Sequence, residues 1–175
     1  YTMLRPDLEN IPEVHLPQGV EVRPVDWQAH KRLIFEAEIE AFRDHWGFSE
    51  PDENDYADFV AYVEEDANID PALWRVAWQG DQVVGMVRGF INGNENQEYN
   101  RLRGWTEHIS VRKPWRKQGV ATALINLSLQ AMKEKGMQEA ALGVDTQNTS
   151  GALRVYERAG FRPIKTYTTY RKRMD

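Results

Sequence analysis

At 175 residues, with 41% hydrophobic and 28% charged residues, the chain has apolar material for one globular domain that buries roughly 70% of its unfolded surface. A formal net charge of −5 opposes non-specific binding to nucleic acid and to anionic membranes, so any bound anion needs a local set of donors. The absence of cysteine excludes disulfides, thiolate metal sites and a cysteine nucleophile, and no apolar run reaches the roughly 20 residues of a membrane span.

With no charged-then-apolar leader either, the expected location is a reducing cytoplasm. Tyr1 stands where an initiator methionine is usual, which fits a processed chain, a trimmed one or the back portion of a longer protein.

Residues 1–18 carry three prolines and little periodicity, and read as an irregular arm or linker ahead of a domain over residues 19–175. GVEVRPV alternates apolar and polar residues, predicting a short strand that ends near Pro24. From Asp26, an N-cap candidate, Leu33, Ile34, Ala37, Ala41 and Phe42 fall on one face of a helix that stops at Gly47. Tyr56, Phe59, Val60 and Val63 mark a second helix, with Ser49 as its cap just ahead of Pro51. Two alternating runs around QGDQ predict a hairpin, NGNENQEYNRLRG a loop, and WTEHISV a strand.

The helix opening near Gly119 is apolar over a wide arc and ends at Gly136. MQEAALGVD predicts a buried strand, and SGALRVYERAG a short helix capped by Ser150 and stopped by Gly160. FRPIKTYTTYRKR predicts one bent or two short strands. The class is mixed α/β.

Between the WTEHISV strand and the following helix stands VRKPWRKQGVATAL, which crowds Arg112, Lys113, Arg116 and Lys117 into an acidic chain. The first N–H groups of a helix lack partners within it, and with the positive end of the helix dipole they bind phosphate. Gly119 and small Ala121 leave room for the anion to approach the backbone. The same residues also read as an ordinary turn with solvated cations, and neither GxxxxGK[ST] nor GxGxxG is present.

VRKPWRKQGVATAL is similar to the acyl-CoA signature of the GNAT superfamily of N-acetyltransferases: Arg or Gln, two residues, Gly, one residue, then Gly or Ala. Here these are Arg116, Gly119 and Ala121. NTSGALRVYERAGF resembles the family's second element through Asn148, Tyr156, Gly160 and Phe161. The resemblance runs from about Gly19 onward, and EAFRDHWG looks most like a domain of the tandem GNAT proteins related to mycothiol synthase. It implies the GNAT acyl-CoA N-acyltransferase fold, a mixed, mostly antiparallel central sheet flanked by helices. It also implies transfer of an acetyl group from acetyl-CoA directly to a primary amine through a ternary complex.

The resemblance assigns roles residue by residue. The backbone of Ile109, Ser110 and Val111 would pair with the pantetheine arm, and an amide near Ile109 or Val111 would stabilise the oxyanion. The amides of Lys117, Gln118, Gly119, Val120, Ala121 and Thr122 would hold the pyrophosphate, with Arg112, Arg116 and Lys117 at the phosphates. Asn148 would bind the cofactor or orient its helix. Tyr156 would be the general acid toward the leaving thiolate. Glu107, on the same strand face as Ile109, would be the general base, with His108 on the opposite face of a regular strand. Glu40, Asp44, His45 and Trp46 would read the amine by charge and cation–π contact.

Each residue also has an ordinary reading. Tyr156 fits a core aromatic, Glu107 an exposed strand carboxylate paired with a cation, and EAFRDHWGF the end of an amphipathic helix. No residue spacing suggests a metal site. Two further functions stay open: a catalytically inactive CoA-binding module of a tandem protein, and a peptide or protein N-acetyltransferase. The expected partners are a small amine and a second GNAT domain upstream or a second copy in a homodimer. Neither nucleic acid nor a membrane is expected.

Overall fold

The computed structural model, which describes residues 1–45, 47–145 and 151–167, begins with β1 (Thr2–Arg5), β2 (Glu21–Arg23), α1 (Trp27–Phe42), α2 (Glu53–Glu65), β3 (Arg75–Gln79) and β4 (Gln82–Phe90). Then follow α3 (Gly93–Glu98), β5 (Arg103–Val111), α4 (Val120–Glu134), β6 (Glu139–Gly143), α5 (Ala152–Arg158) and β7 (Arg162–Lys165). Among the described residues the strands form one seven-stranded sheet in the order β2-β3-β4-β5-β6-β1-β7, antiparallel throughout except between β5 and β6.

Local chemistry explains most of these boundaries. Asp26 caps α1 by accepting the Ala29 N–H at 3.2 Å. The cap of α2 is Asp52 rather than Ser49. Asp52 accepts from Asn54 and Asp55, while the Asp55 carboxylate accepts the Asp52 N–H, a reciprocal box that also suits the helix dipole.

Two segments depart from their expected form. Thr2–Arg5 is not part of an irregular arm but a strand inserted between β6 and β7. Its alternation is too short to register in the sequence, and its place is set by distant partners. Met3 is fully buried, and Arg5 reaches the Ala159 carbonyl at 2.6 Å. The polar run after Phe90 contains α3 where a loop is expected. Asn92 caps it by accepting the Glu95 N–H at 3.0 Å, and buried Asn96 exchanges two hydrogen bonds with the Arg103 backbone. Side-chain amides hold this helix, so no apolar period announces it.

β4 feeds two cores. Val83 and Met86 pack with Ile34 and Ala37 of α1, while Val84 and Val87 pack with Leu124, Ile125 and Leu129 of α4. Gly85 lies opposite Val111 on β5, and a Cβ there would come within 2.7 Å of the Ser110 carbonyl oxygen. Backbone cannot yield without opening the pairing, so Gly85→Ala is expected to destabilise the domain by about 1–3 kcal/mol. A denaturation midpoint equal to that of the parent would show that the strands can shift apart without cost.

β5 shapes the site in two ways. Its register with β6 covers only Arg103 to Trp105, opposite Glu139 to Ala141. Beyond Trp105, side chains take over: Thr106 Oγ1 donates to the Ala141 carbonyl at 3.3 Å, and the Gly143 N–H donates to Glu107 Oε1 at 2.8 Å. Against β4, β5 carries an extra residue, since Arg88 faces Glu107 but Met86 faces Ser110. His108 sits in this bulge with φ 49°, in the left-handed region.

Candidate active site

A cavity of about 570 Å³ is lined by Ile109, Ser110 and Val111 of β5, by the turn before α4, and by Val155 and Tyr156 of α5. Arg116, Lys117, Gly119, Val120, Ala121 and Thr122 supply the turn's share of this wall. Gly119 caps α4 at φ 85°, and the first helical bond runs from the Ala123 N–H to the Gly119 carbonyl at 3.0 Å. The N–H groups of Val120, Ala121 and Thr122 are therefore left without helical partners. A Cβ on Gly119 would meet nothing within 4 Å, so the space ahead of these donors is open. Free amides, a helix dipole and open space fit a phosphate.

The arginines of the turn have partners within the protein. Arg112 donates to Glu40 at 2.8 Å and to the Val83 carbonyl at 3.0 Å. Arg116 pairs with the Asp44 carboxylate and also donates to the carbonyls of Ala41 at 2.7 Å and Val111 at 2.9 Å. Both guanidiniums tie the end of α1 and its following turn to the β5–α4 turn. The Arg116 hydrogen bond holds the Asp44 carboxyl below the usual carboxylate range. Lys117 stays exposed at the cavity wall.

Glu40 thus pairs with Arg112 and Asp44 with Arg116, and Asp44 also lines the larger cavity. His45 lines the larger cavity beside Asp44, edge-on to Phe42 at 4.7 Å. The Gln118 side chain donates to the Pro114 carbonyl at 2.9 Å. Trp46, Asn148 and the expected cap Ser150 lie outside the described residues.

Tyr156 is 7% exposed, and burial, reinforced by the charge of Glu107, pushes its phenol up to about 12. Burial also raises the Glu107 carboxyl above its ordinary value, against the opposing pull of the Gly143 N–H and of His108. Glu107 lines a second cavity of about 350 Å³, walled by Tyr62, Trp74, Phe90 and Trp105. Phe90 and Trp105 stack there with centroids 6.0 Å apart. Glu107 therefore joins the two spaces: it lines the smaller and acts electrostatically on the phenol that lines the larger.

In a regular strand His108 would face away from Glu107, but the left-handed bulge breaks the alternation and both residues line the smaller cavity. Sequence reasoning passes over the groups behind them. Arg88 and Glu38 are buried, with Arg88 Nη2 3.2 Å from Glu38 Oε1 and the guanidinium 5.3 Å from the ring centroids of Phe59 and Trp74. His108 Nδ1 lies 2.9 Å from the same oxygen. Neither contact is aligned as a hydrogen bond. An arginine inside the apolar run VVGMVRGF is the signal that could have found this cluster, because buried charges are paired.

Among the described residues no group of three or more His, Asp or Glu side chains could hold a metal ion, and no helix is long and apolar enough to cross a membrane.

Residues 32–161 match the Acetyltransferase (GNAT) family. N-alpha-acetyltransferase 30 of Schizosaccharomyces pombe is 35% identical over 100 residues, which span 57% of this chain and 64% of that protein. Mycothiol acetyltransferase of Geodermatophilus obscurus is 26% identical over 153 residues, spanning 86% of this chain and 47% of that one. The crystal structure of a GCN5-related N-acetyltransferase from Sphaerobacter thermophilus superposes with a TM-score of 0.71 at 27% identity, over 93% of this chain and 47% of the other. The chain thus spans less than two thirds of the length of each of these relatives. The matched segment contains the β5 bulge, the α4 turn and Tyr156, and the chain belongs to the GNAT acetyltransferase family.

Proposed function

We propose that this domain transfers an acetyl group from acetyl-CoA to a primary amine in a ternary complex, with Tyr156 as general acid and Glu107 as general base. The observation that carries this reading is the position of Glu107, in the wall of an aromatic cavity and within electrostatic reach of a buried phenol in the wall of the other. Acetyl-CoA, when bound, supplies an activated acyl group on a thiol leaving group.

The chain's own residues do the rest. The free amides of Val120, Ala121 and Thr122, with Lys117 beside them, hold the pyrophosphate. The edge of β5 beyond Trp105, released from β6, offers backbone to the pantetheine arm, and an N–H near Ile109 polarises the thioester carbonyl. Tyr156 keeps its proton at any ordinary pH because its phenol titrates near 12. Glu107, raised by burial, is a better proton acceptor than an exposed carboxylate. The aromatic walls of the smaller cavity suit an ammonium group.

Two acceptor classes have support. The N-alpha-acetyltransferase relative favours a peptide N-terminus, and the mycothiol acetyltransferase relative a small amino compound. The match to about half of the latter supports one unit of a tandem protein. The deciding experiment measures CoA release from acetyl-CoA with small amines, amino sugars, polyamines and peptides. Turnover with any of them supports the reading. CoA binding without turnover on the whole panel replaces it with an inactive CoA-binding module.

Glu107→Gln separates a catalytic role from a structural one. Its folded-state carboxyl is raised above the unfolded value, so its favourable contribution is present below the unfolded pKa and lost as pH rises through the folded one. At neutral pH the ionised group therefore costs stability. Glu107→Gln is expected to raise Tm at neutral pH, by less as pH falls into the ordinary carboxylate range, while turnover drops about 10²–10⁴-fold. A normal rate in this variant would remove Glu107 from the chemistry.

A further inference from the structure

Acetylating an ammonium ion takes two protons from nitrogen and returns one to sulfur. R–NH3⁺ must lose its first proton to expose the lone pair. The C–N bond then forms, the C–S bond breaks, and the thiolate takes the Tyr156 proton. Nitrogen loses its second proton as the neutral amide is completed. One proton leaves for solvent overall, so the site needs two acceptors with different outlets.

We propose that His108 takes the first proton, from the incoming ammonium, and passes it to solvent, while Glu107 takes the second and returns it to Tyr156. The proposal rests on the acetyltransferase reading above and divides its base chemistry between two adjacent residues. Glu107 is the inner acceptor: it accepts the Gly143 N–H at the point where β5 leaves β6, and its charge acts on Tyr156. A proton on Glu107 can restore the tyrosinate left after Tyr156 has protonated the thiolate. Atoms and charge then balance within the pair.

His108 is the outer acceptor. Its side chain is 48% exposed, so an imidazolium formed there can lose its proton to water. A left-handed backbone is uncommon for a non-glycine residue, and here it places the ring in the wall of the aromatic cavity beside Glu107. Nδ1 lies against Glu38 Oε1, which leaves Nε2 for the ammonium. The charged and titratable groups around the ring are Glu38 of α1, Arg88 of β4 and Glu107 of β5, with Tyr62 of α2 and Glu95 of α3 on the same cavity wall. Two carboxylates against one guanidinium in the immediate cluster offset the charge that the imidazole gains. Glu38 and Arg88 act through His108 and are positioning residues.

The test uses the full chain and an amine that the wild type acetylates, together with a fluorinated analogue of that amine whose nitrogen is already neutral at the assay pH. His108→Asn keeps a residue that tolerates the left-handed backbone but cannot take a proton. Near neutral pH it is expected to lose about 10²-fold in kcat/KM with the basic amine. It should recover most of that loss at alkaline pH, and with the fluorinated analogue. Glu107→Gln should stay slow under both conditions, because the second proton must still be removed. His108→Gly, equally compatible with the backbone, should regain rate on addition of imidazole. A His108→Asn defect of the same size at every pH and with both amines overturns the proposal, as does a wild-type rate in that variant. If the wild type releases no CoA with any amine, the acetyltransferase reading itself fails; an active wild type with an indifferent His108 defeats only the division of labour.

Discussion

Tyr156→Phe is expected to lower kcat by about 10²–10⁴-fold while leaving acetyl-CoA affinity nearly unchanged. The ring belongs to the core beside Val120, Leu124 and Phe161, and phenylalanine fills the same volume, so the fold should be retained. What is lost is one hydroxyl in the wall of the larger cavity. Burial, and after it the charge of Glu107, pushes that phenol up to about 12, so it remains a proton donor across the whole working range. Wild-type activity should accordingly show no decline from tyrosine ionisation until well into strongly alkaline solution. In Glu107→Gln, where one of the two causes is removed, the residual activity should decline at lower pH. A further control is the leaving group: an acetyl thioester of a more acidic thiol needs less help, so the Tyr156→Phe deficit should shrink with it. A variant that loses acetyl-CoA binding instead of kcat would make Tyr156 a packing residue and leave the acid unassigned.

The parts of this site that are legible in the sequence are those whose chemistry is local. Asp26 before an apolar helical face, Gly119 ahead of α4 and the Gly80–Asp81 hairpin each state their conformation within a few residues. The parts that are not legible depend on partners far along the chain. Glu40 with Arg112 and Asp44 with Arg116 are each separated by 72 positions, so the pairing of these acidic residues with the basic turn cannot be read from either segment alone. His108 is a similar case. Alternation sends it to the opposite face from Glu107, and only the extra residue of β5 against β4 reverses that outcome. β1 exists because Ala140 to Gly143 and Arg162 to Lys165 offer it two edges, neither of which can be seen from Thr2.

Gly119→Val should weaken acetyl-CoA binding by tenfold or more, which corresponds to about 1.4 kcal/mol for each factor of ten. The reason is not crowding within the protein, since a Cβ at this position would meet nothing within 4 Å. It is the backbone: φ is 85°, and a left-handed conformation costs an L-residue roughly 1–2 kcal/mol, with more for a β-branched side chain. Relaxing that strain turns the peptide planes that carry the Val120, Ala121 and Thr122 N–H groups, while the valine methyls enter the open space in front of them. Gly119→Asn separates the two effects. Asparagine tolerates the left-handed region, so its variant should keep stability close to wild type and lose affinity only through the space its side chain occupies. Calorimetric titration of all three proteins with CoA should therefore rank glycine above asparagine and asparagine above valine. Equal affinities across the series would mean that the pyrophosphate is not held at the start of α4.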